Sequence, residues 1–447
     1  MKLDIERDGL GHRAVLTAEG IGIYVDRIVE TRGEMHGELT VARAPEGHLL
    51  QARFNLSSMT SRKSTAAFLE GVSPLGKGPK GPTWVAALEA FCVGVLAAER
   101  ESASIVKIGR QAPRGAPEMV LDPFILGGTK STVLYGAGGS GKSTLAAAAA
   151  VAVQTGVSTF AGWTVPRPRP VLVLDWEADE RDWNDLIVGV AEGIGVPAPE
   201  IDYWPCDQNL PAMLHELARE IRSREIGLVI VDSVGHAMPN TRDGASAEEG
   251  AIRMFKALRM LGCPALLIDH VAKDDGDGRK SRGPYGSVYK WNSVRAAWEL
   301  RAGEDERAEG DATHLALVHR KHNLTARHRP IGIRLSRSDG HVLLIREDIA
   351  DDEALAGTMT VAQRLERVLL RSKPMSIGDL AEDIGADPKT VAKTLNRSDR
   401  FVKVGQEGRH QMWAVQARLE EPPGYSPPPD RRSSFDALIE ANESLRG

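Results

Sequence analysis

The sequence predicts an α/β fold built on a mainly parallel central sheet. Three observations predict it. A short apolar run at residues 132–135 passes through a glycine-rich turn into an alanine-rich helix. Unbroken Val/Ile/Leu runs recur at 171–175, 227–232 and 264–269, with helix-length stretches between them. Continuous apolar runs suit strands covered on both faces, as in a parallel sheet. The runs end in Asp175, Asp232 and Asp269, and the carboxyl ends of parallel strands are where such sheets bind ligands. Further strand candidates lie at 296–300, 314–319 and 331–335.

The elements divide the chain of 447 residues into several parts. Residues 1–104 open with short alternating runs such as Gly22–Val29 and Leu49–Leu56, which read as antiparallel strands. A short helix at 61–69 and a longer one at 83–101 complete a β-rich α+β unit with no catalytic constellation. It reads as an accessory or oligomerisation domain, with a nucleic-acid or partner-binding role as the alternative. Residues 105–350 form the alternating α/β core. Residues 358–418 read as helix, helix, turn, helix and hairpin, the winged helix-turn-helix plan. Residues 419–447 begin with a proline-rich run expected to act as a stiff linker, in a tail that is otherwise flexible.

Bulk properties exclude some classes. Hydrophobic residues make up 42%, enough for buried cores, and the net charge is −5. Contact with nucleic acid must therefore come from local basic patches. Cys92, Cys206 and Cys263 are far apart in sequence. They offer no disulfide framework or zinc pattern, and a cytoplasmic location fits. No apolar run is long enough to cross a bilayer, so no membrane partner is expected.

The chemistry begins at Gly136-Ala137-Gly138-Gly139-Ser140-Gly141-Lys142-Ser143-Thr144, which fits G-x-x-x-x-G-K-[ST]. Glycines let the backbone curl until several N–H groups face one anion, and the next helix adds the positive end of its dipole. Lys142 would neutralise the β- and γ-phosphates, and Ser143 would ligate Mg²⁺. ATP and Mg²⁺ are the cofactors this implies. Asp232, at the end of Leu228-Val229-Ile230-Val231, is placed to hold the metal opposite Ser143. Glu177 follows the strand ending at Asp175 and is the candidate base for water beside the γ-phosphate. Asp179 and Glu180 suit a helix N-terminus instead. His270, just past the run ending at Asp269, is the candidate γ-phosphate sensor.

In this order the motifs resemble the RecA-like P-loop ATPases, above all the RepA- and DnaB-type hexameric helicases, over residues 105–346. Ala161-Gly162-Trp163 with Glu177 resembles that family's catalytic-glutamate segment, and Val231-Asp232-Ser233-Val234 its Walker B segment. Residues 286–295 are similar to the segment after the second DNA-binding loop of recombinases. Arg320-Lys321-His322-Asn323-Leu324 resembles the segment where helicases place a finger that reaches the neighbouring subunit's ATP. The resemblance implies that Lys321 acts across an interface in a homo-oligomer, a hexameric ring ahead of a filament. The DnaB pattern Lys-x-Arg is broken by Asn323, so Arg320 or Arg327 is left to supply an arginine.

Two basic regions are candidates for nucleic acid. The glycine-rich stretch 272–286 carries Lys273, Arg279, Lys280 and Arg282, and phosphate contacts need such side chains on a pliable backbone. In the third helix of the C-terminal module, Lys389, Lys393 and Arg397 fall on the exposed side, with Ile377, Leu380, Ile384, Val391 and Leu395 as the core. That module would bind duplex DNA or a replication partner. The first reading is an ATP-driven motor on single-stranded DNA, a helicase or loader of a mobile element. A filament-forming recombination mediator and an ATP-gated DNA-binding regulator are the alternatives.

Overall fold

Alternation of apolar and polar side chains shapes the first sheet. A computed structural model describes residues 3–76, 81–101, 108–109, 115–240, 244–271, 288–303, 312–348, 355 and 358–416. Strands β1 (Glu6–Asp8), β2 (Gly11–Leu16), β3 (Ile21–Thr31), β4 (Glu34–Arg43) and β5 (Gly47–Asn55) form an antiparallel meander in chain order. Ile21, Ile23 and Val25 of β3 and Leu39 and Val41 of β4 point to one face and are buried. Two helices cover that face, Met59–Val72 and Trp84–Arg100. Each begins where a hydroxyl caps it: Ser58 accepts from the Ser61 amide, and Thr83 from that of Ala86. Leu69, Leu88, Phe91 and Val95 complete this core.

The second sheet carries the site. After the short pair β6 (Met119–Leu121) and β7 (Ile125–Leu126) come β8 (Ser131–Gly136), β9 (Val171–Asp175), β10 (Asp202–Pro205), β11 (Leu228–Asp232) and β12 (Ala265–His270). Then follow β13 (Ala296–Ala302), β14 (Ala312–His322), β15 (Ile331–Ser338) and β16 (His341–Glu347). The order across the sheet is β10-β9-β11-β12-β8-β13-β14-β15-β16. From β10 to β13 the pairing is parallel, and from β13 to β16 it is antiparallel. All seven core strands expected from sequence are present, and β10 and β16 are additions at the two edges. The central strands β8, β9 and β11 are buried along their whole length, as their unbroken apolar runs require.

Helices cover both faces. The alanine-rich helix Lys142–Thr155 is buried from Thr144 through Val153. Its small side chains let it lie close to the sheet, within a core that includes Phe124, Trp163 and Trp298. Phe124 stacks on Trp163 with ring centroids 5.2 Å apart, and the Trp298 indole N–H donates to the Phe124 carbonyl at 3.1 Å. On the other face, Leu214–Ser223 and Ala247–Leu261 pack over Leu217, Met254, Phe255 and Leu258.

Residues 1–349 form one compact unit, so the antiparallel sheet and the central sheet share a body. The join runs along helix Leu214–Ser223. Arg27 pairs with Glu216, Arg222 reaches the Arg7 carbonyl and lies 3.7 Å from Asp8, and Leu10 packs into the core beneath that helix.

Residues 350–447 form a second unit. Helices Val361–Arg371, Ile377–Asp383 and Pro388–Arg397 surround Leu365, Leu369, Leu380, Ile384, Val391 and Leu395. Ile377 is only partly buried against that core. Strands Phe401–Glu407 and His410–Val415 pair antiparallel, and Met375–Ser376 adds a third strand beside the latter. The two long strands are paired as far as Glu407 and His410, leaving a turn of Gly408-Arg409. Lys389, Lys393 and Arg397 recur every four residues along one exposed stripe of their helix. The tail at 419–447 lies outside the described residues.

Candidate active site

The P-loop joins β8 to helix Lys142–Thr155. Gly139 and Gly141 hold φ values of +71° and +87°, which side chains with a Cβ rarely adopt. A Cβ on Gly136 would run into the Leu300 carbonyl oxygen, while Gly138 opens onto free space. Lys142 is buried and folds back so that Nζ donates to the carbonyls of Ala137 at 2.8 Å and Gly136 at 3.2 Å. Burial lowers its pKa, and the Asp232, Glu177 and Asp269 carboxylates oppose that shift. Ser140 Oγ is buried in the same loop with no hydrogen-bond partner among the described residues. An orphan hydroxyl beside a lysine satisfied only by carbonyls fits a cradle built for a phosphate group.

The acids come from the neighbouring parallel strands. Strand β12 separates β8 from β11, yet Asp232 at the end of β11 accepts from Ser143 Oγ at 2.8 Å. The expected metal pair is thus one hydrogen-bonded unit. Asp232 is buried, and that burial pushes its pKa up to about 6 despite the Ser143 hydrogen bond. A hydroxyl and a buried carboxylate are hard oxygen donors of the kind Mg²⁺ takes.

Glu177 stands where β9 gives way to helix Glu180–Gly193. Asp175 shapes the turn: its Oδ1 accepts from the amides of Glu177 at 2.9 Å and Ala178 at 3.2 Å, and the Tyr203 hydroxyl donates to its Oδ2 at 2.9 Å. Asp179 caps the helix through the amides of Arg181 and Asp182, the role expected for it. Glu177 Oε1 accepts from the Ser233 hydroxyl, with His236 Nδ1 at 3.1 Å and His270 Nε2 at 3.6 Å. Burial alone would raise its pKa, but the Ser233 hydrogen bond and the two imidazoles outweigh it and lower the net value. Glu177 is held as a carboxylate, the form a base needs.

The structure therefore brings together Lys142, Ser143, Glu177, Asp232 and His270. The remaining catalytic candidate lies elsewhere. Register across β8, β13 and β14 sets Lys321 level with Ala297 and Val133, three residues before Gly136. At about 3.3 Å per residue that is roughly 10 Å down the sheet from the P-loop, and two strands across. There Lys321 donates to the Trp291 carbonyl and lies 5.5 Å over that indole ring. Burial and the nearby Arg295 lower its pKa. Of the two arginines left open, Arg320 is engaged by Glu299 at 2.5 Å, whereas Arg327 is exposed. The stretch 272–286, with Lys273, Arg279, Lys280 and Arg282, lies outside the described residues.

Residues 98–276 match the family model described as AAA domain, a span that takes in the P-loop, Glu177, Asp232 and His270. The match covers less than half of the chain. Two solved structures are similar to about half of this chain. A KaiC-like protein from the hyperthermophilic archaeon Pyrococcus horikoshii is 15% identical, with 50% of this chain and 93% of that one covered at a TM-score of 0.35. The RadB recombinase is also 15% identical, with 50% and 92% covered at a TM-score of 0.36. No curated protein matches the chain. Among the described residues no helix is long and apolar enough to cross a membrane.

Several residues of the site have roles that the sequence does not single out. Ser233 and His236 reach Glu177 only because β11, followed by the short helix Val234–Ala237, pairs beside β9. Lys290, on helix Val288–Ser293, forms a buried ion pair with Asp269 at 3.1 Å, and the His270 amide donates to the same carboxylate at 2.9 Å. Burial raises the pKa of Asp269, and Lys290 opposes that shift. Arg337 on β15 donates to Thr144 Oγ1 at 2.9 Å.

Proposed function

We propose that the protein is an ATP-hydrolysing motor acting on single-stranded DNA, a RepA-like hexameric helicase or loader of a mobile element. The observation that carries this is the separation of the site's parts. Lys142, Ser143, Glu177, Asp232 and His270 meet at one end of the sheet, while Lys321 stands well below its own P-loop. A cation placed there serves a nucleotide on an adjoining copy better than its own, which favours a head-to-tail assembly, a ring where the rotation closes and a filament where it does not.

In this reading Glu177 orients the attacking water and takes its proton while oxygen attacks the γ-phosphorus and ADP leaves. The P-loop amides and Lys142 balance the charge on the phosphates, and His270 links the γ-phosphate position to Glu177. Ser143 and Asp232 would hold Mg²⁺, which when bound offsets phosphate charge. Hydrolysis would be relayed to DNA through the stretch after Val271. The C-terminal unit, read as a winged helix, would bind duplex DNA or a replication partner through Lys389, Lys393 and Arg397.

The test joins two assays. Lys142→Ala should abolish ATP turnover, and single-stranded DNA should stimulate the unaltered protein. Electron microscopy with an ATP analogue and DNA should show rings. Lack of DNA stimulation, together with a protein that stays monomeric with nucleotide, would overturn the motor reading. Filaments in place of rings would favour the recombination mediator, and tight sequence-specific duplex binding without translocation the regulator.

A further inference from the structure

Arg337 stands near the end of β15, on the side of the P-loop away from the acids. Asp232 and His270 end strands β11 and β12 and Glu177 follows β9, all to one side of β8; β13, β14 and β15 lie to the other. From that far side Arg337 Nη2 donates to Thr144 Oγ1 at 2.9 Å. Thr144 is buried in the first turn of helix Lys142–Thr155. Two residues earlier Leu335 closes on the loop, since a Cβ on Gly141 would meet its Cδ2 at 3.3 Å. Strand β15 thus delivers a guanidinium to the N-terminal mouth of a helix.

That placement is electrostatically odd. A helix N-terminus carries partial positive charge and favours anions. Among the described residues the Arg337 side chain bonds a neutral hydroxyl and no carboxylate. One bond to Thr144 leaves most of its five N–H donors free in a planar fork suited to phosphate oxygens. The γ-phosphate end of a bound nucleotide must face Glu177. The chain of phosphates then crosses the helix mouth, and the phosphate nearest the ribose falls on the Arg337 side.

We propose that Arg337 is a nucleotide-binding residue that holds the α-phosphate, positioned for it by Thr144. This rests on the ATPase reading above. It predicts an affinity contribution common to ATP and ADP, and indifferent to the base.

Calorimetric titration of the full chain tests it, with ATP, ADP and inorganic tripolyphosphate as probes, each with MgCl₂. Arg337→Ala and Arg337→Gln should weaken all three by about tenfold or more, the scale of a lost charge-assisted contact. Arg337→Lys should recover part of the loss, since it keeps the charge but not the fork. The side chain is exposed, so the melting temperature should not move. Unchanged ADP affinity in Arg337→Gln would overturn the assignment. So would a loss for ATP and ADP that spares tripolyphosphate, which would mark a base contact. Lys142→Ala separates the two levels: if the unaltered chain binds none of the probes, or binds them equally well without Lys142, the nucleotide site itself falls.

Discussion

Replacing Asp232 with Asn should stabilise the nucleotide-free protein while destroying its activity. Asp232 is buried at the end of β11, and burial raises its pKa from the ordinary 3.8 to about 6. A raised carboxyl pKa means that the folded state prefers the protonated form. Its favourable contribution is therefore complete below about pH 4 and is lost as pH rises through about 6. At 1.36 kcal/mol per pH unit, ionisation at neutral pH costs the fold on the order of 3 kcal/mol. Asn keeps an oxygen to accept from Ser143 but carries no charge, so that cost disappears. Thermal melts in EDTA should show Asp232→Asn roughly 5 °C more stable at pH 7.5, with the gap closing as the buffer approaches pH 4. ATP turnover should fall to background, because the amide no longer offers a charged metal ligand. A variant no more stable than the unaltered chain at pH 7.5, or a gap of equal size at both pH values, would refute the argument.

Other predictions follow the same geometry. Glu177→Gln should lower kcat by about 10²–10⁴ and leave ADP affinity nearly intact, measured by steady-state ATPase and calorimetry; a kcat close to the unaltered value would remove Glu177 from the role of base. Lys290→Met leaves Asp269 charged and buried, and should destabilise the fold by about 3–5 kcal/mol in urea denaturation. Lys290→Met combined with Asp269→Leu should recover most of that loss, and a double variant no better than the single one would show that the pair contributes more than mutual neutralisation. If the site closes between copies, Lys321→Ala and Glu177→Gln proteins should each be inactive alone and regain some turnover when mixed; no recovery in mixed assemblies would count against Lys321 acting across an interface.

The sequence shows the central sheet where burial on both faces forces unbroken apolar runs, as in Val171–Asp175 and Leu228–Asp232. The edges obey a different rule. Strand β10 is Asp-Tyr-Trp-Pro, short and partly exposed, and has no pattern of its own until β9 pairs with it. The acids are legible for a related reason: a charge directly after a buried run must sit at a sheet edge. Ser233, His236, Lys290 and Arg337 gain their roles only through which strands become neighbours, and single polar residues near the ends of elements do not announce that. Lys321 is a further case, because its distance from the P-loop depends on the register of β13 with β14, which spacing along the chain does not reveal.

The Asp269–Lys290 pair has a consequence for how this protein can diversify. It ties the end of β12 to helix Val288–Ser293 as a buttoned seam between the two elements. A contact of this kind does not depend on how many residues join its two sides. Doubling such a stretch costs only about 0.6 kcal/mol in closure entropy. Insertions and replacements there can be accepted with little effect on the fold, while His270, next to the button, keeps its place beside Glu177. The seam holds both flanks in place whatever sequence joins them.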